Sequence, residues 1–248
     1  MQGLVGAGAI AGADLRELGV DRVPLLKING ETILSRACRC LQEGGGCADV
    51  FVMAPPEVPL PDRPGMRRGH YTGAFVHDCL DCIRTEMDGE YLLFSAGDVP
   101  LISVESVAAI AQAGLESGVD LIYPVIARES MERMFPGGKR TYAPLRDGRF
   151  TGGNVFFVNR HWIVDREPML RELFERRKDV LALARMFGIG CIFRLLFRLA
   201  DLAYIERRIG GILDGKLRAL PLDFPEIGAD LDKAADLELF RDHLDPWG

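Results

Sequence analysis

The amino-acid sequence predicts an α/β fold with a mostly parallel central sheet and helices on both of its faces. Short apolar runs alternate with amphipathic helical patterns through the first half of the chain, as they do in successive βαβ units. These runs are continuously apolar, which is typical of strands whose two faces are both covered. No linker, repeat or low-complexity tract divides the 248 residues. We therefore expect one domain over residues 1–248, with a helical insertion at about 166–215.

The predicted elements follow one another in a regular order along the chain. Strands are predicted at the apolar runs 4–5, 48–54, 90–96, 120–127 and 216–221. Helices are predicted where apolar residues recur at helical spacing, over 32–42, 73–87, 103–117, 191–209 and 234–244. Ser103 is expected to cap the third of these helices. Because ligands bind beyond the carboxyl ends of parallel strands, polar residues that follow the strands are the candidates for a functional site.

Composition and charge exclude several classes of function. The net charge of −6 gives no electrostatic footprint for general binding of nucleic acid. No uncharged apolar stretch reaches the roughly 18 residues that a membrane span needs, and the first residues do not resemble a signal peptide. The six cysteines lack the spacing of a standard zinc site, so we expect reduced, buried thiols. Together these features predict a cytoplasmic protein.

A run of glycine and alanine follows the first predicted strand, from Gly6 to Gly12. Because these side chains are small or absent, the backbone amides of such a loop can approach phosphate groups closely. The candidate nucleotide-binding residues here are Ala7, Gly8, Ala9 and Gly12. Two other interpretations are open at this point. The loop also resembles the GxGxxG-type fingerprint of a nicotinamide-dependent oxidoreductase, and a turn of small residues that binds no ligand has the same composition.

Carboxylates occur at two places where a hard divalent cation would need them. Asp98 comes just after the predicted strand at 90–96. Asp230 and Asp232 stand two residues apart before the last predicted helix, so their side chains point the same way in an extended chain. Mg²⁺ usually takes one or two protein carboxylates, which makes Asp98 with Asp230 or Asp232 a candidate metal site. A turn or capping role is the alternative for Asp98, and Asp236 is expected to be structural.

A third group of residues offers ligands for a phosphorylated acceptor. Two of them are basic and can hold a phosphate, and the others lie in a Thr-Gly-Gly-Asn segment before an apolar run. The glycines admit a ligand close to the backbone, and the asparagine offers both a donor and an acceptor. The candidate acceptor-binding residues are Lys139, Arg140, Thr151, Gly152, Gly153 and Asn154. The alternative for the two basic residues is a solvated pair of loop charges.

Taken together, these segments resemble the MobA-like nucleotidyltransferases of the glycosyltransferase-A-like group. The segments that carry the resemblance are the Gly/Ala loop, Pro24-Leu-Leu-Lys-Ile-Asn-Gly30, Ala96-Gly-Asp98-Val-Pro100-Leu, Thr151-Gly-Gly-Asn154 and Asp230-Leu-Asp232-Lys-Ala-Ala-Asp236-Leu. The resemblance implies a Rossmann-like three-layer αβα fold of the glycosyltransferase-A type. It also implies that the first loop holds a triphosphate, and that Asp98 holds Mg²⁺ together with an acid of the closing segment. The acceptor phosphate would attack the α-phosphorus and release pyrophosphate.

The sequence departs from the family pattern where a basic residue is expected to neutralise the triphosphate. The first loop is rich in alanine, and Val23 stands where the family has a lysine before its proline–leucine stretch. Arg22 is the first candidate to replace that lysine in catalysis, and Arg16, the basic residue nearest the loop, is the second. The region 69–78, which includes the candidate nucleotide-binding residue Gly73, is expected to contribute to recognition of the base.

The expected function is transfer of a nucleoside monophosphate from a nucleoside triphosphate to a small phosphorylated acceptor, with Mg²⁺ as cofactor. A sugar phosphate, a polyol phosphate or molybdopterin would be such an acceptor. A non-catalytic nucleotide-binding protein of the same fold is the first alternative, and the oxidoreductase is the second. The predicted helix over 191–209 has a wide apolar face with two arginines, which favours burial or a homodimer contact. Contact with a membrane surface is the alternative for this helix.

Overall fold

The computed structural model describes residues 1–175 and 188–240. The strands are β1 (Gln2–Gly6), β2 (Lys27–Ile28), β3 (Glu31–Thr32), β4 (Val50–Met53), β5 (Met66–Arg68), β6 (Tyr91–Ala96), β7 (Leu121–Ala127), β8 (Ala143–Leu145), β9 (Gly148–Gly152), β10 (Val155–Asn159) and β11 (Leu217–Pro221). The helices of the described part are α1 (Ala13–Glu17), α2 (Ile33–Glu43), α3 (Phe75–Thr85), α4 (Val104–Ser117), α5 (Arg128–Met134), α6 (Arg160–Asp165), α7 (Glu167–Glu175), α8 (Ile189–Leu196), α9 (Leu202–Leu213) and α10 (Ala234–Phe240).

Nine of the strands form one mixed sheet in the order β5-β4-β1-β6-β10-β7-β9-β8, with β11 pairing beside β7, and β2 and β3 make a separate hairpin. β1 is parallel to β4 and β6, β4 to β5, and β7 to β11. β10 lies antiparallel between β6 and β7, and β9 is also antiparallel to β7. Only β9 and β10 therefore run against the other strands of this sheet, which confirms the predicted α/β fold with a mostly parallel sheet.

The direction of β10 is a feature that the sequence does not reveal. Helices cover both faces of the sheet, so β10 is as apolar as its parallel neighbours. Its direction is set by the β8–β9 hairpin, which reverses the chain, and the bend at Gly152 and Gly153 then leads β9 into β10 in the same direction without a crossover helix. A Cβ atom on Gly152 would lie 2.1 Å from the hydroxyl oxygen of Tyr123, so the bend requires a residue without a side chain.

Apolar residues fill the space on both faces of the sheet. Leu4 and Val5 are consecutive in β1, so their side chains point to opposite faces, and both are fully buried. Val5 belongs to the larger hydrophobic cluster, together with Leu34 of α2 and Ile110 of α4. Leu4 belongs to the second cluster, together with Trp162 of α6. The burial of both faces explains the continuous apolar runs in the sequence.

Side-chain caps fix where α2 and α4 begin. The hydroxyl of Thr32 accepts a hydrogen bond from the N–H of Ser35 at 3.1 Å. The hydroxyl of Ser103 accepts one from the N–H of Ser106, also at 3.1 Å, so the predicted cap of α4 is confirmed. α4 ends at Ser117, and the next residue, Gly118, has a φ of 59° in the left-handed region that glycine adopts without strain.

The prediction of one long helix over 191–209 is wrong, because the chain forms two separate helices, α8 and α9, in this region. Asp201 lies between them in an extended conformation, and its carboxylate accepts a hydrogen bond from the N–H of Tyr204 at 2.8 Å. Arg198 has a φ of 55°, which turns the chain after α8. An extended N-cap residue cannot lie inside a continuous helix. The apolar spacing continues across the break, so the spacing alone does not show it.

The remaining helical predictions lie partly outside the described residues. The last predicted helix, 234–244, corresponds to α10, and 241–244 are not among the described residues. Within 166–215 the described residues contain α7, α8 and α9, whereas 176–187 are not described. A helical insertion in a single domain therefore stays a prediction.

Candidate active site

The loop after β1 is fixed at both of its ends by backbone hydrogen bonds. The N–H of Ala7 donates to the carbonyl of Met53 at 2.9 Å, and the N–H of Ala11 donates to the carbonyl of Asp21 at 3.0 Å. Ala7 and Ala11 are buried, whereas Ala9 between them is exposed. The predicted nucleotide-binding loop is thus anchored to β4 and to the segment before α2. Ala7 contributes to this anchoring, and Ala9 faces the solvent.

Gly8 and Gly12 both lie where an added Cβ atom would come too close to another side chain, and that side chain differs between the two. A Cβ atom on Gly8 would lie 2.4 Å from the hydroxyl oxygen of Tyr71, so Tyr71 lies directly against the loop backbone. Gly12 is the residue before α1, and a Cβ atom there would lie 2.9 Å from a carboxylate oxygen of Asp14. The glycines signal a close approach in the sequence, but nothing in the sequence identifies Tyr71 as the neighbour.

Of the two arginines proposed to replace the family lysine, Arg22 contacts the loop. Its guanidinium donates to the carbonyl oxygen of Gly8 at 3.4 Å and to the carboxylate of Glu57 at 2.6 Å. Arg16 lies on the exposed side of α1. Val23 is buried in the larger hydrophobic cluster, so the position of the family lysine faces the core in this chain. The positive charge that contacts the Gly8 backbone is therefore that of Arg22, one residue before the position of the family lysine.

Asp98 lies just beyond the carboxyl end of β6 and has a carboxylate oxygen that is left without a partner. Its Oδ1 is buried and has no hydrogen-bond partner among the described residues, although the residue as a whole is partly exposed. Burial raises the pKa of Asp98 to about 6, and the negative charges of Asp230 and Asp232 add to this effect. A buried oxygen without a partner is costly in a protein, so this atom is a candidate ligand for a cation.

Backbone hydrogen bonds bring the three predicted segments of the site together. The N–H of Gly97 donates to the carbonyl of Gly6 at 2.8 Å, which joins the Asp98 segment to the first loop. The N–H of Leu231 donates to the carbonyl of Asp98 at 2.9 Å, which joins it to the closing acidic segment. The first loop, Asp98 and the segment 230–232 therefore meet at the carboxyl edge of the sheet, as expected for ligand binding in such folds.

Asp14 and Asp236 hold the closing acidic segment in place. The N–H of Ala234, at the start of α10, donates to the carboxylate of Asp14 at 2.8 Å. The carboxylate of Asp236 accepts hydrogen bonds from the N–H groups of Asp232 and Lys233, at 3.0 and 2.8 Å. Asp236 thus has the structural role that was expected of it. The role of Asp14 has no signal in the sequence, because its partner lies at the other end of the chain.

Arg140, a candidate for binding the acceptor, contacts the candidate metal ligand Asp230. Its guanidinium forms an ion pair with the carboxylate of Asp230 and donates at 3.3 Å to the backbone carbonyl of the same residue. Asp232 is exposed, and its pKa is raised by desolvation first and by the charge of Asp230 second. Lys139 is exposed to solvent. The alternative of a solvated charge pair therefore fits Lys139 but not Arg140.

Asn154 has a structural partner that limits its proposed role in acceptor binding. Its side-chain amide and its backbone N–H both donate to the carbonyl of Ile227, at 3.1 and 2.8 Å. Its own carbonyl accepts from the N–H of Ala96, at 3.0 Å. The side chain that was expected to donate to an acceptor thus ties the 3₁₀ turn at Pro225–Gly228 to the end of β6. Thr151 and the two glycines form the bend beside this contact.

The loop before α3 is shaped by a buried carboxylate. Asp78 accepts hydrogen bonds from the N–H and the hydroxyl of Thr72 and from the N–H of Gly73, at 2.9, 2.6 and 3.0 Å. Gly73 has a φ of +96°, which disfavours any residue with a Cβ atom, and a Cβ there would meet nothing within 4 Å. The loop that carries Tyr71 and Gly73 is therefore held in one conformation next to the Gly8 backbone.

The donor set at this edge of the sheet suits a hard divalent cation. Among residues 1–175 and 188–240, no group of three or more His, Cys, Asp or Glu side chains is arranged to hold a metal ion. A Mg²⁺ ion that bridges phosphate oxygens needs only one or two protein carboxylates, with water and phosphate as its other ligands. The unpartnered Oδ1 of Asp98 and the nearby acidic segment fit that requirement. In the part of the chain that the structure describes, no helix is long and apolar enough to cross a membrane.

Comparisons with known structures give the fold family. A "Hpothetical Transferase Structure" from Thermus thermophilus matches with a TM-score of 0.80 and 27% sequence identity, covering 96% of this chain and 100% of that one. A 2-C-methyl-D-erythritol 4-phosphate cytidylyltransferase, also from Thermus thermophilus, matches with a TM-score of 0.55 and 13% identity, covering 96% of each chain. A CMP:2-keto-3-deoxy-manno-octonic acid synthetase complexed with CTP matches with a TM-score of 0.60 and 14% identity, covering 98% of each chain.

The sequence comparisons agree with the structural ones. No curated protein matches this sequence. The family model of the MobA-like NTP transferase domain matches residues 16–162, which is more than half of the chain. This match favours an NTP transferase over the nicotinamide-dependent oxidoreductase that the Gly6–Gly12 loop left open. The chain therefore belongs to the MobA-like NTP transferase family and has the glycosyltransferase-A type of fold.

Proposed function

We propose that this chain transfers a nucleoside monophosphate from a nucleoside triphosphate to a small phosphorylated acceptor and releases pyrophosphate. The observation that carries the proposal is the buried, unpartnered Oδ1 of Asp98, which lies between the first loop and the closing acidic segment. The family assignment and the nucleotidyltransferase neighbours support the same chemistry. The match of 96% of the chain to one structural neighbour supports a single domain over residues 1–248.

In this proposal the first loop and Arg22 bind the triphosphate. Ala9 is exposed in this loop, so phosphates can approach the loop backbone there. The guanidinium of Arg22 donates to the carbonyl of Gly8, and from this position it can neutralise phosphate charge in place of the family lysine. The ordered loop around Gly73 then borders the base.

Asp98 and either Asp230 or Asp232 would hold Mg²⁺. A bound Mg²⁺ neutralises charge on the triphosphate and orients its α-phosphate toward the acceptor. Arg140 and a metal ion compete for the same carboxylate of Asp230, because the guanidinium is paired with it. Binding of the ion to Asp230 would release Arg140. The freed guanidinium, together with Lys139 and the bend at Thr151, would bind the acceptor phosphate.

The test is release of pyrophosphate with each of CTP, GTP, UTP and ATP, in the presence of Mg²⁺ and a panel of sugar phosphates, polyol phosphates and molybdopterin. Turnover with one nucleotide and one acceptor is the expected result. Absence of turnover together with Mg²⁺-dependent nucleotide binding in thermal-shift measurements would support the second candidate function, a binding protein. The burial of Val23 at the lysine position is the observation that favours this second candidate. Absence of both turnover and nucleotide binding would contradict the two candidates together.

A further inference from the structure

An exposed apolar patch lies on α8 and the residues that follow it. Phe193, Phe197 and Leu199, which we call the Phe193 patch, are 57, 59 and 56% exposed. The rings of Phe193 and Phe197 are in contact, with their centroids 4.5 Å apart. The remaining large exposed hydrophobic side chains of the described part lie at separate places along the chain. Single exposed apolar residues are normal, whereas a cluster of large ones indicates a binding surface.

The helix presents this patch outward while its other side is attached to the protein. Cys191 and Ala200 are buried. Phe193 is two residues after Cys191, which places it about 200° around the helix, on the side opposite the buried cysteine. Phe193 therefore points away from the buried side of α8, and Phe197 and Leu199 are exposed in the residues that follow the helix.

The stretch of chain that carries the patch has a charge opposite in sign to that of the chain as a whole. The stretch from Gly188 to Ala200 contains two arginines and no acidic residue, although the net charge of the chain is −6. Arg194 and Arg198 are exposed beside the patch, and Arg194 lies over the ring of Tyr204 with its guanidinium carbon 5.1 Å from the centroid. The nearest acid along the chain, Asp201, is paired with Arg146 and caps α9, so it does not neutralise them.

The hairpin formed by β8 and β9 extends beyond the carboxyl edge of the sheet. β9 is antiparallel to β7, and the register pairs Gly152 with Val125 and Phe150 with Ala127, the last residue of β7. The turn at 146–147 precedes Phe150 in the chain, so it projects further beyond the end of β7. β6 and β7 both run antiparallel to β10, so Asp98 follows the end of β6 at the same edge of the sheet.

Two hydrogen bonds attach the residues that directly follow the Phe193 patch to this hairpin. The N–H of Arg146 donates to the carbonyl of Ala200 at 2.8 Å, and the N–H of Leu202 donates to the carboxylate of Asp147 at 3.0 Å. The patch therefore lies beside the turn that projects past the carboxyl edge. β9 ends at Gly152, in the bend on the acceptor side of the candidate active site.

We propose that the Phe193 patch binds the surface of an anionic phospholipid bilayer. Exposed aromatic and aliphatic side chains flanked by arginines insert into the interface of such a bilayer, and the arginines attract its anionic headgroups. A second copy of the chain fits less well, because a two-fold contact through this patch would bring the arginines of both copies together. Where the proposed function also holds, the acceptor is a phosphorylated, membrane-borne lipid precursor, and this clause alone rests on that function.

The experiment is co-sedimentation of the full chain with vesicles of phosphatidylcholine alone and of phosphatidylcholine mixed with phosphatidylglycerol, at low and high salt. Binding to the anionic vesicles at low salt, weakened by high salt, is the expected result. The double variant Phe193→Ser with Phe197→Ser should bind at least about tenfold more weakly, since the apolar contact is lost. Arg198→Gln should weaken binding at low salt. Leu115→Ser is the matched control, because Leu115 is equally exposed but lies on α4.

Three results would overturn the proposal. The first is absence of sedimentation with anionic vesicles at low salt. The second is binding of the double variant, Phe193→Ser with Phe197→Ser, that equals the binding of the natural chain. The third is a dimer in light scattering that this variant converts to a monomer, which would assign the patch to a second copy. Circular dichroism of each variant checks that the fold is kept. Vesicle binding and pyrophosphate release with soluble acceptors are measured separately, so failure of the docking and failure of the proposed function are distinguishable.

Discussion

At the scale of single residues, the candidate site brings together several charged side chains, some of them partly buried. Burial and two neighbouring acids raise the pKa of Asp98, and its Oδ1 has no partner among the described residues. Such a carboxylate lowers the stability of the folded chain at neutral pH. Asp230, in the neighbouring acidic segment, is paired with Arg140, and the guanidinium of Arg22 donates to the carbonyl of Gly8 in the first loop. Each of these residues leads to a prediction.

Asp98→Asn is expected to stabilise the protein and to abolish turnover. The folded-state pKa of about 6 exceeds the ordinary value of 3.8, so the stability of the natural protein falls as pH rises from about 4 through 6. Asparagine does not titrate, so the variant should lose this pH dependence. We expect a gain of about 3 kcal/mol in the free energy of unfolding at pH 8 and a loss of turnover of at least about a hundredfold. Urea unfolding at pH 4 and pH 8 and pyrophosphate release measure the two effects.

The control for this substitution is Asp62→Asn, because Asp62 is exposed on a loop away from the site. It should change the free energy of unfolding by less than about 0.5 kcal/mol. Full turnover in Asp98→Asn, or an unchanged pH dependence of its stability, would contradict the role given to this carboxylate.

Arg22→Ala is expected to lower kcat/KM for the nucleotide about a hundredfold, because the positive charge on the Gly8 backbone is lost. Arg22→Lys should retain activity to within about tenfold, since an ammonium keeps the charge but not the forked geometry. The matched control is Arg16→Ala, with an expected change of less than about threefold. Pyrophosphate release measures all three, and the reverse order of effects would assign the triphosphate to Arg16.

Arg140→Ala is expected to tighten binding of Mn²⁺, used as a probe for the divalent cation, by about three- to tenfold. The reason is that the guanidinium no longer competes for the carboxylate of Asp230. The KM for the acceptor should rise in the same variant. Titration of Mn²⁺ followed by electron paramagnetic resonance measures the affinity without any turnover. Lys139→Ala, next to it in the chain and exposed, is the control, and an equal change in both variants would contradict the competition.

At the scale of elements, packing distances and caps decide what the apolar pattern leaves open. α4 lies on β10 through Gly114, where a Cβ atom would be 2.3 Å from the ring of Phe157. The break between α8 and α9 depends on the cap made by Asp201. Neither feature can be predicted from the apolar periodicity. Gly114 contacts a residue of another segment, and Asp201 interrupts the helical pattern of its own segment.

Gly114→Ala is expected to destabilise the protein by about 1 to 3 kcal/mol, because the added methyl group overlaps the buried ring of Phe157. The sign is informative, since alanine is otherwise favoured over glycine inside a helix by about 1 kcal/mol. Thermal and urea unfolding measure the effect. Gln112→Ala, at an exposed position of the same helix, is the control with a change below about 0.5 kcal/mol. A stabilised Gly114→Ala variant would show that α4 moves away from the sheet easily.

At the scale of the whole molecule, two hydrophobic clusters hold helices to the two faces of one sheet. All six cysteines are free and buried, and five of them belong to these two clusters. Burial raises the pKa of five of their thiols to about 12, those of Cys38, Cys40, Cys47, Cys79 and Cys82. The structure thus agrees with the prediction of buried, reduced cysteines.

The native protein is therefore expected to react with a thiol reagent such as Ellman's reagent at least about a hundredfold more slowly than the chain in urea, where all six thiols become accessible. The rate in urea serves as the control for the reagent. Fast reaction of one cysteine in the native protein would contradict this expectation and would identify a helix that opens locally.

The element order and much of the candidate site could be predicted from the sequence, and some roles could not. Asp98, the first loop and the closing acidic segment meet as expected because each follows the carboxyl end of a strand or precedes a helix at that edge. The pairing of Arg140 with Asp230 and of Asn154 with Ile227 could not be predicted. Both pairs join segments that are far apart in the chain, and no local spacing encodes such contacts.

The sequence by itself determined the alternation of strands and helices, the burial of both sheet faces and the family. The physical reason is that apolar spacing, caps such as Ser103 and glycines at close approaches are local properties of the chain. Only the tertiary structure decided the direction of β10, the choice of Arg22 over Arg16 as the arginine on the Gly8 loop, and the exposure of the Phe193 patch. These three features depend on which surfaces meet after folding. The local sequence around a side chain does not specify its neighbours from distant segments.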